Sequence, residues 1–186
     1  MNLQFLTRIN VFAGALALTL VLLSSSLAAT VDPTSRQDSA EVSRLLSEAR
    51  IASSKLVVTT DEFHSYTRSR LDWRTHAEKV HQLKDNVNVL GATLLDLEAI
   101  RSQAAPWQQD AIEKMRPILV ELAKNAKFVI QHINENQKEL RHPEYRDALA
   151  NNQELASQLA GLTDDFVTYG ETKGKLEELR TKLELN

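Results

Sequence analysis

The chain has 186 residues with a formal charge of −3; 42% are hydrophobic and 5% aromatic, and there are five glycines and no cysteine. Acidic and basic residues are mixed along its length, which leaves no basic field for nucleic acid or anionic lipid. The missing cysteine excludes disulfides, thiol catalysis and cysteine metal sites, and the scarcity of glycines and aromatics argues against a β-sandwich or barrel.

The first thirty residues differ from the rest. Arg8 is the only charged side chain before an apolar run from Val11 to Leu23, and the small residues Ser24 to Ala29 follow. A basic start, a short apolar middle and a small-x-small end predict a signal peptide over residues 1–28, cleaved after Ala28 or Ala29. The alternative is an uncleaved anchor, because Ile9 to Val31 is long enough to cross a bilayer. Either reading places the remainder outside the cytoplasm, periplasmic or secreted, since Arg8 lies on the N-terminal side. After cleavage no stable membrane span is expected, and no Asn-x-Ser/Thr sequon suggests glycosylation.

Residues 29–39 read as an exposed leader. From there apolar residues recur at alternating spacings of three and four in four segments. The first runs Val42, Leu45, Ala49, Ala52, Leu56, Thr59, Phe63, Tyr66. The second takes Trp73, His76, Val80, Leu83, Val87, Leu90, Leu94, Leu97, Arg101 and Ala104. The third takes Ile112, Met115, Leu119, Leu122, Ala126, Val129, Ile133, Asn136 and Leu140. The fourth takes Tyr145, Ala148, Asn152, Leu155, Leu159, Leu162, Phe166 and Tyr169, then continues through Lys173, Leu176, Arg180 and Leu183. This is the seam of helices packed nearly parallel or antiparallel.

Breaks separate the segments. Pro106 and Pro143 each suit the first turn of a new helix and disfavour helix at the residue before. Between the first two segments the break is weaker: Ser69-Arg70-Leu71-Asp72, with Asp72 a candidate cap for a helix starting at Trp73. The expectation is an all-α fold, an antiparallel up-down-up-down four-helix bundle with long coiled-coil-like helices over 40–68, 73–104, 107–140 and 144–184. The alternative is an extended or dimeric coiled coil in which helices one and two are continuous. Pro117 should bend the third helix, and its place opposite the seam predicts that it faces solvent.

Chemistry-bearing patterns are few. Glu78–His81 and Glu139–His142 have the Glu-x-x-His spacing of di-iron four-helix sites. Glu78 points away from the seam and His142 falls in a turn, so both pairs read as surface residues. A haem site fails similarly: Met115 and His76 lie near the starts of adjacent antiparallel helices, at opposite ends. No phosphate loop, nucleophile elbow or His-Glu-x-x-His motif occurs. No catalytic, cofactor or metal residue is therefore assigned.

Folding the helices up and down brings His64, His76, His81, His132 and His142 to one end. His76 lies in the seam with Asn136 and Asn152 in neighbouring layers, and Tyr66, Trp73 and Tyr145 belong to the same end. Such a group either fixes helix register, with His76 bonded to Asn152, Asn136 or a backbone carbonyl, or binds a small ligand or metal. At the other end Arg101, Gln108, Lys173 and Arg180 interrupt the seam beside Trp107, and their long side chains should reach to water. Gly170 and Gly174 flank Lys173 and either admit a close neighbour or loosen the helix.

Apolar residues also fall off the seam: Ile51, Val57 and Val58, then Val120, Phe128 and Val167. Ile51 and Val58 are seven apart and suit an exposed stripe for a partner helix. The expected function is an exported, non-enzymatic helical protein that acts through protein–protein contacts in the cell envelope or outside the cell. Its protein partner is undefined by the sequence, and a homodimer is compatible with the seams. The competing expectation is a small-ligand or metal-sensing bundle that uses the His/Trp/Tyr/Asn end.

Overall fold

A computed structural model describes residues 37–69 and 71–184; the expected signal peptide and most of the expected leader lie outside the described residues. Among the described residues all regular structure is helical. Four long helices, α1 (Ala40–Ser65), α2 (Trp73–Ala99), α3 (Pro106–Glu135) and α4 (Pro143–Lys182), pack against one another, with 3-10 turns at Tyr66–Arg68 and Arg101–Gln103.

The helix starts follow from side-chain chemistry. Ser39 Oγ accepts the Val42 amide at 3.4 Å to cap α1. Asp72 accepts the Arg74 and Thr75 amides at 2.7 and 3.2 Å, and these amides, Thr75 first, hold its carboxyl below the usual carboxylate range. Pro106 and Pro143 open α3 and α4, where the missing N–H costs nothing. The capped start at Asp72 gives α2 its own beginning, so α1 and α2 are separate helices packed on each other. The continuous helix across residue 70 is thereby corrected.

All four helices stop short of the expected ends, α1 at Ser65 and α4 at Lys182 by only two or three residues. α2 ends at Ala99 and tightens into the 3-10 turn, and α3 ends at Glu135 instead of continuing to residue 140. Asn136 becomes the residue that closes α3, with its amide bonded to His132 O at 2.8 Å. The polar run from Asn134 to Lys138 offers little apolar surface to hold another helical turn in the core, and Asn favours such ends.

α1 packs mainly against α2 and α4, and α3 likewise packs mainly against α2 and α4. Between them lie Leu56, Phe63, Leu83, Leu90, Leu97, Ile112, Leu122 and Ile133, all fully buried. Each such side chain contributes about 1.5–3 kcal/mol on leaving water. Bonded pairs rise along α1 as they fall along α4: Asp38 with Lys173, Ser53 with Thr163, His64 with Gln153. No described helix is long and apolar enough to cross a membrane.

The seam of α4 needs correction. Its buried residues are Tyr145, Leu149, Asn152, Ala156, Leu159, Thr163 and Val167, not the expected run through Leu155, Leu162, Phe166 and Tyr169. A spacing nearer the 3.6 period of a straight helix turns the small residues Ala156 and Thr163 into the core. There Thr163 Oγ1 lies 2.8 Å from Ser53 Oγ, both buried. Leu155, Leu162 and Phe166 become partly buried flanks, and Tyr169 is 52% exposed. Pro117 is exposed on the outer face of α3.

Candidate functional site

The end of the bundle that holds His76 is built by the first turn of α2, the last turn of α1 and the first turn of α4. His76 is 2% exposed and Tyr145 is fully buried; His76 Nδ1 and the Tyr145 hydroxyl lie 2.8 Å apart. Phe63 and Tyr66 close around the imidazole edge-on, with ring centroids at 5.9 and 5.5 Å. Burial pushes the His76 pKa down, opposed by the nearby Asp72 charge, and burial pushes the Tyr145 pKa up. Both groups are therefore neutral near pH 7.

His132, which the seam does not include, completes this layer. Its ring stacks on Tyr145 at 4.8 Å, and its Nε2 lies 3.1 Å from Glu139 O. A carbonyl only accepts, so Nε2 carries the proton. Tyr145 is thus held between two imidazoles, bonded to one and stacked on the other.

The other expected members do not join this contact. Asn136 is partly exposed at the end of α3, so it is corrected out of the layer. Asn152 is 1% exposed, but neither polar atom of its amide meets a protein partner, and the His76 bond expected with it is made with the Tyr145 hydroxyl instead. Trp73 is partly buried at the start of α2, with the Arg74 guanidinium 4.9 Å from its ring centre. Glu78, His81, Glu139 and His142 are exposed. Among the described residues no three His, Asp or Glu side chains converge closely enough to hold a metal ion.

The opposite end carries a second polar arrangement that the sequence reading treated as solvated. Gln108 is fully buried. Its Oε1 accepts the Ser39 and Ala105 amides at 3.0 and 2.9 Å, and its Nε2 donates to Ser39 O and Ser43 Oγ, both at 2.9 Å. One side chain thus ties the start of α1 to the start of α3. Beside it the Asp38 carboxylate accepts the Trp107 indole N–H at 2.8 Å and the Lys173 ammonium at 2.6 Å. Asp38 and Ser39, expected in the exposed leader, are therefore corrected to partly buried anchors. Glycine 170 is required by the same packing: a Cβ there would stand 2.7 Å from Trp107 Cη2. Nothing comparable crowds Gly174.

Trp107 forms one wall of a cleft of about 390 Å³ with Lys114, Leu162, Asp165, Phe166 and Tyr169. Lys114 lies 5.5 Å from the Phe166 ring centre and donates to Asp110 at 2.8 Å, so its charge is already answered.

On the outside, Ile51 is 69% and Val58 66% exposed, two turns apart on α1 with the exposed Ser54 between them. Val57 is partly buried and Val167 is 5% exposed, so these two widen the core. Val120 and Phe128 are exposed on α3, and Val89 on α2. Lys79 is a further residue the pattern did not flag: its side chain is 9% exposed, with Nζ 2.6 Å from Glu62 and 2.9 Å from Gln82. Compared with known protein families, with curated proteins and with solved structures, the chain gives no match in any of the three.

Proposed function

We propose that this chain is exported and folds as an up-down-up-down bundle with coiled-coil-like seams, working without catalysis through contacts with another protein. The observation that carries the reading is the pair Ile51 and Val58, apolar and about two-thirds exposed on the outer face of α1. Isolated exposed aliphatics are ordinary, but two β-branched residues seven apart make one continuous line on a helix. Ser47 and Ser54 on the same side leave room for a second helix to lie close.

The polar interior supports a register role for the His76 layer. His76, Tyr145 and His132 bond or stack with one another and with backbone, as a polar layer does when it fixes one alignment of helices. A sensing function would need His76 to leave Tyr145 before it could bind a ligand through Nδ1.

The test is site-specific photocrosslinking in the native envelope, with the crosslinker placed singly at Ile51, at Val58 and at the exposed Lys124 on α3. The expected result is one discrete adduct shared by positions 51 and 58 and absent from 124. Equal adducts from all three positions, or none from 51 and 58, would remove the α1 stripe as an interface.

A further inference from the structure

From Gly174 to Lys182 α4 continues as helix, and every residue of this stretch is exposed among the described residues. Leu176, Leu179 and Leu183 are 48, 53 and 60% exposed, and Tyr169, 52% exposed, begins the same line seven residues earlier. At about 100° per residue the three leucines share an arc of about 60°. Arg180 borders that arc on one side, and Lys175 and Lys182 border it on the other, each within about 95° of its middle. Glu177 and Glu178 lie more than about 120° away, on the back. The helix is therefore sorted by angle into an apolar centre, basic margins and an acidic back, a local separation of charge that the even mixture of signs along the whole chain conceals.

We propose that this projecting part of α4 lies flat on an anionic lipid surface, with the leucines at the acyl boundary and the margins at the phosphates. Basic residues beside an apolar stripe sink their methylene stems along it and raise their charges to phosphate level, while carboxylates on the back stay in water. Lys175 and Lys182 have no hydrogen-bond or ion-pair partner among the described residues, and Arg180 holds only an exposed bond to Glu177 at 3.2 Å. Lys173, by contrast, is tied to Asp38 and fixes the root of the arm.

A second copy of the stripe is the wrong occupant on charge. Parallel pairing sets Lys175 and Lys182 against Arg180 of the other copy, and antiparallel pairing sets each margin against itself; both repel. A planar anionic surface answers basic margins on both sides at once, and the short leucine line needs no shaped pocket. These residues are separate from the α1 stripe, so either surface can lose its partner without affecting the other.

The full chain has no cysteine, so single spin labels report one position each. Labels at Leu179→Cys and Glu178→Cys are compared by collision with oxygen and with a water-soluble nickel chelate. The comparison uses vesicles of neutral phosphatidylcholine and vesicles containing a third phosphatidylglycerol. The expected result is that phosphatidylglycerol vesicles shield the label at 179 from nickel and raise its oxygen contact, while the label at 178 stays in water. Half-molar salt should reverse the change, and Arg180→Glu with Lys182→Glu should weaken it about tenfold or more. Because neutral vesicles and the charge variant share the apolar run at residues 11–23, they separate its membrane binding from that of the arm. No change at 179, or a change shared equally by 178 and by neutral vesicles, would overturn the proposal. So would a change that follows protein concentration without lipid, which means a second copy. A change seen only with envelope proteins means an acidic protein groove and would overturn it too.

Discussion

His76 shows what a single seam position reveals and what it withholds. Its burial was legible because a 3,4 spacing placed it between Trp73 and Val80. Its partner was not, because the rotation of α4 about its own axis decides whether Tyr145 or Asn152 faces the imidazole, and no local pattern records that angle. His132 escaped for a related reason: it lies beside the seam residue Ile133, and its inward partners, the Tyr145 ring and Glu139 O, come from α4 and from the turn after α3. The His76 pKa is depressed by burial, so the unfolded chain takes up a proton that the folded chain refuses. Its contribution to stability is complete above the ordinary histidine range of about 6.5 and is lost as pH falls through that range toward the folded value. Urea unfolding at pH 7.5 and 5.0 should show the parent losing stability relative to His76→Leu as pH drops. A parent that instead gains on acidification would mean His76 is charged in the fold. Tyr145→Phe, which leaves the buried His76 Nδ1 without its hydroxyl, should cost about 1–3 kcal/mol at pH 7.5.

At the scale of elements, the prolines and Asp72 were readable because each acts within one turn of its own position. The ends of α2 and α3 were less so, since helix length depends on whether the next apolar residue finds a core to enter. Leu140 does stay largely buried, but from a turn after α3 has ended. The contact of α4 with α3 turns on Gly170, whose missing side chain admits the Trp107 ring. The sequence offered two explanations for this glycine, a close neighbour or a loose helix, and nothing local chose between them. Gly170→Ala gains helix propensity of about 1 kcal/mol but drives a Cβ into the indole, and overpacking of that kind costs about 1–3 kcal/mol. Because Trp107 is also held by Asp38, it cannot move aside without breaking that bond. The expected outcome is a net loss of up to about 2 kcal/mol in urea unfolding, with a red shift of Trp107 emission in a Trp73→Phe background. A more stable variant with unchanged emission would show that Trp107 has space to turn.

For the whole molecule, an all-helical packing of four helices was legible because hydrophobic period, proline punctuation and absent strand signals all agreed. The ends of the bundle were harder. Gln108 looked like an interruption of the seam, yet it bonds four groups at the junction of α1 and α3. Long-range bonds of this kind leave no periodic trace, because their partners come from a segment 65 to 69 residues away. Reversal of the chain between α1 and α2 is what would set the His76 layer at one end, the Gln108 junction at the other, and the outer stripe of α1 free between them. The most direct test is a pulsed electron-spin distance between labels at Arg44→Cys and Ala99→Cys, both exposed positions in a chain without other cysteines. Adjacent helices lie about 8–10 Å apart, so with label linkers the distance should fall at about 15–30 Å. A distance near 80 Å, the length of about 55 residues of unbroken helix, would contradict the account.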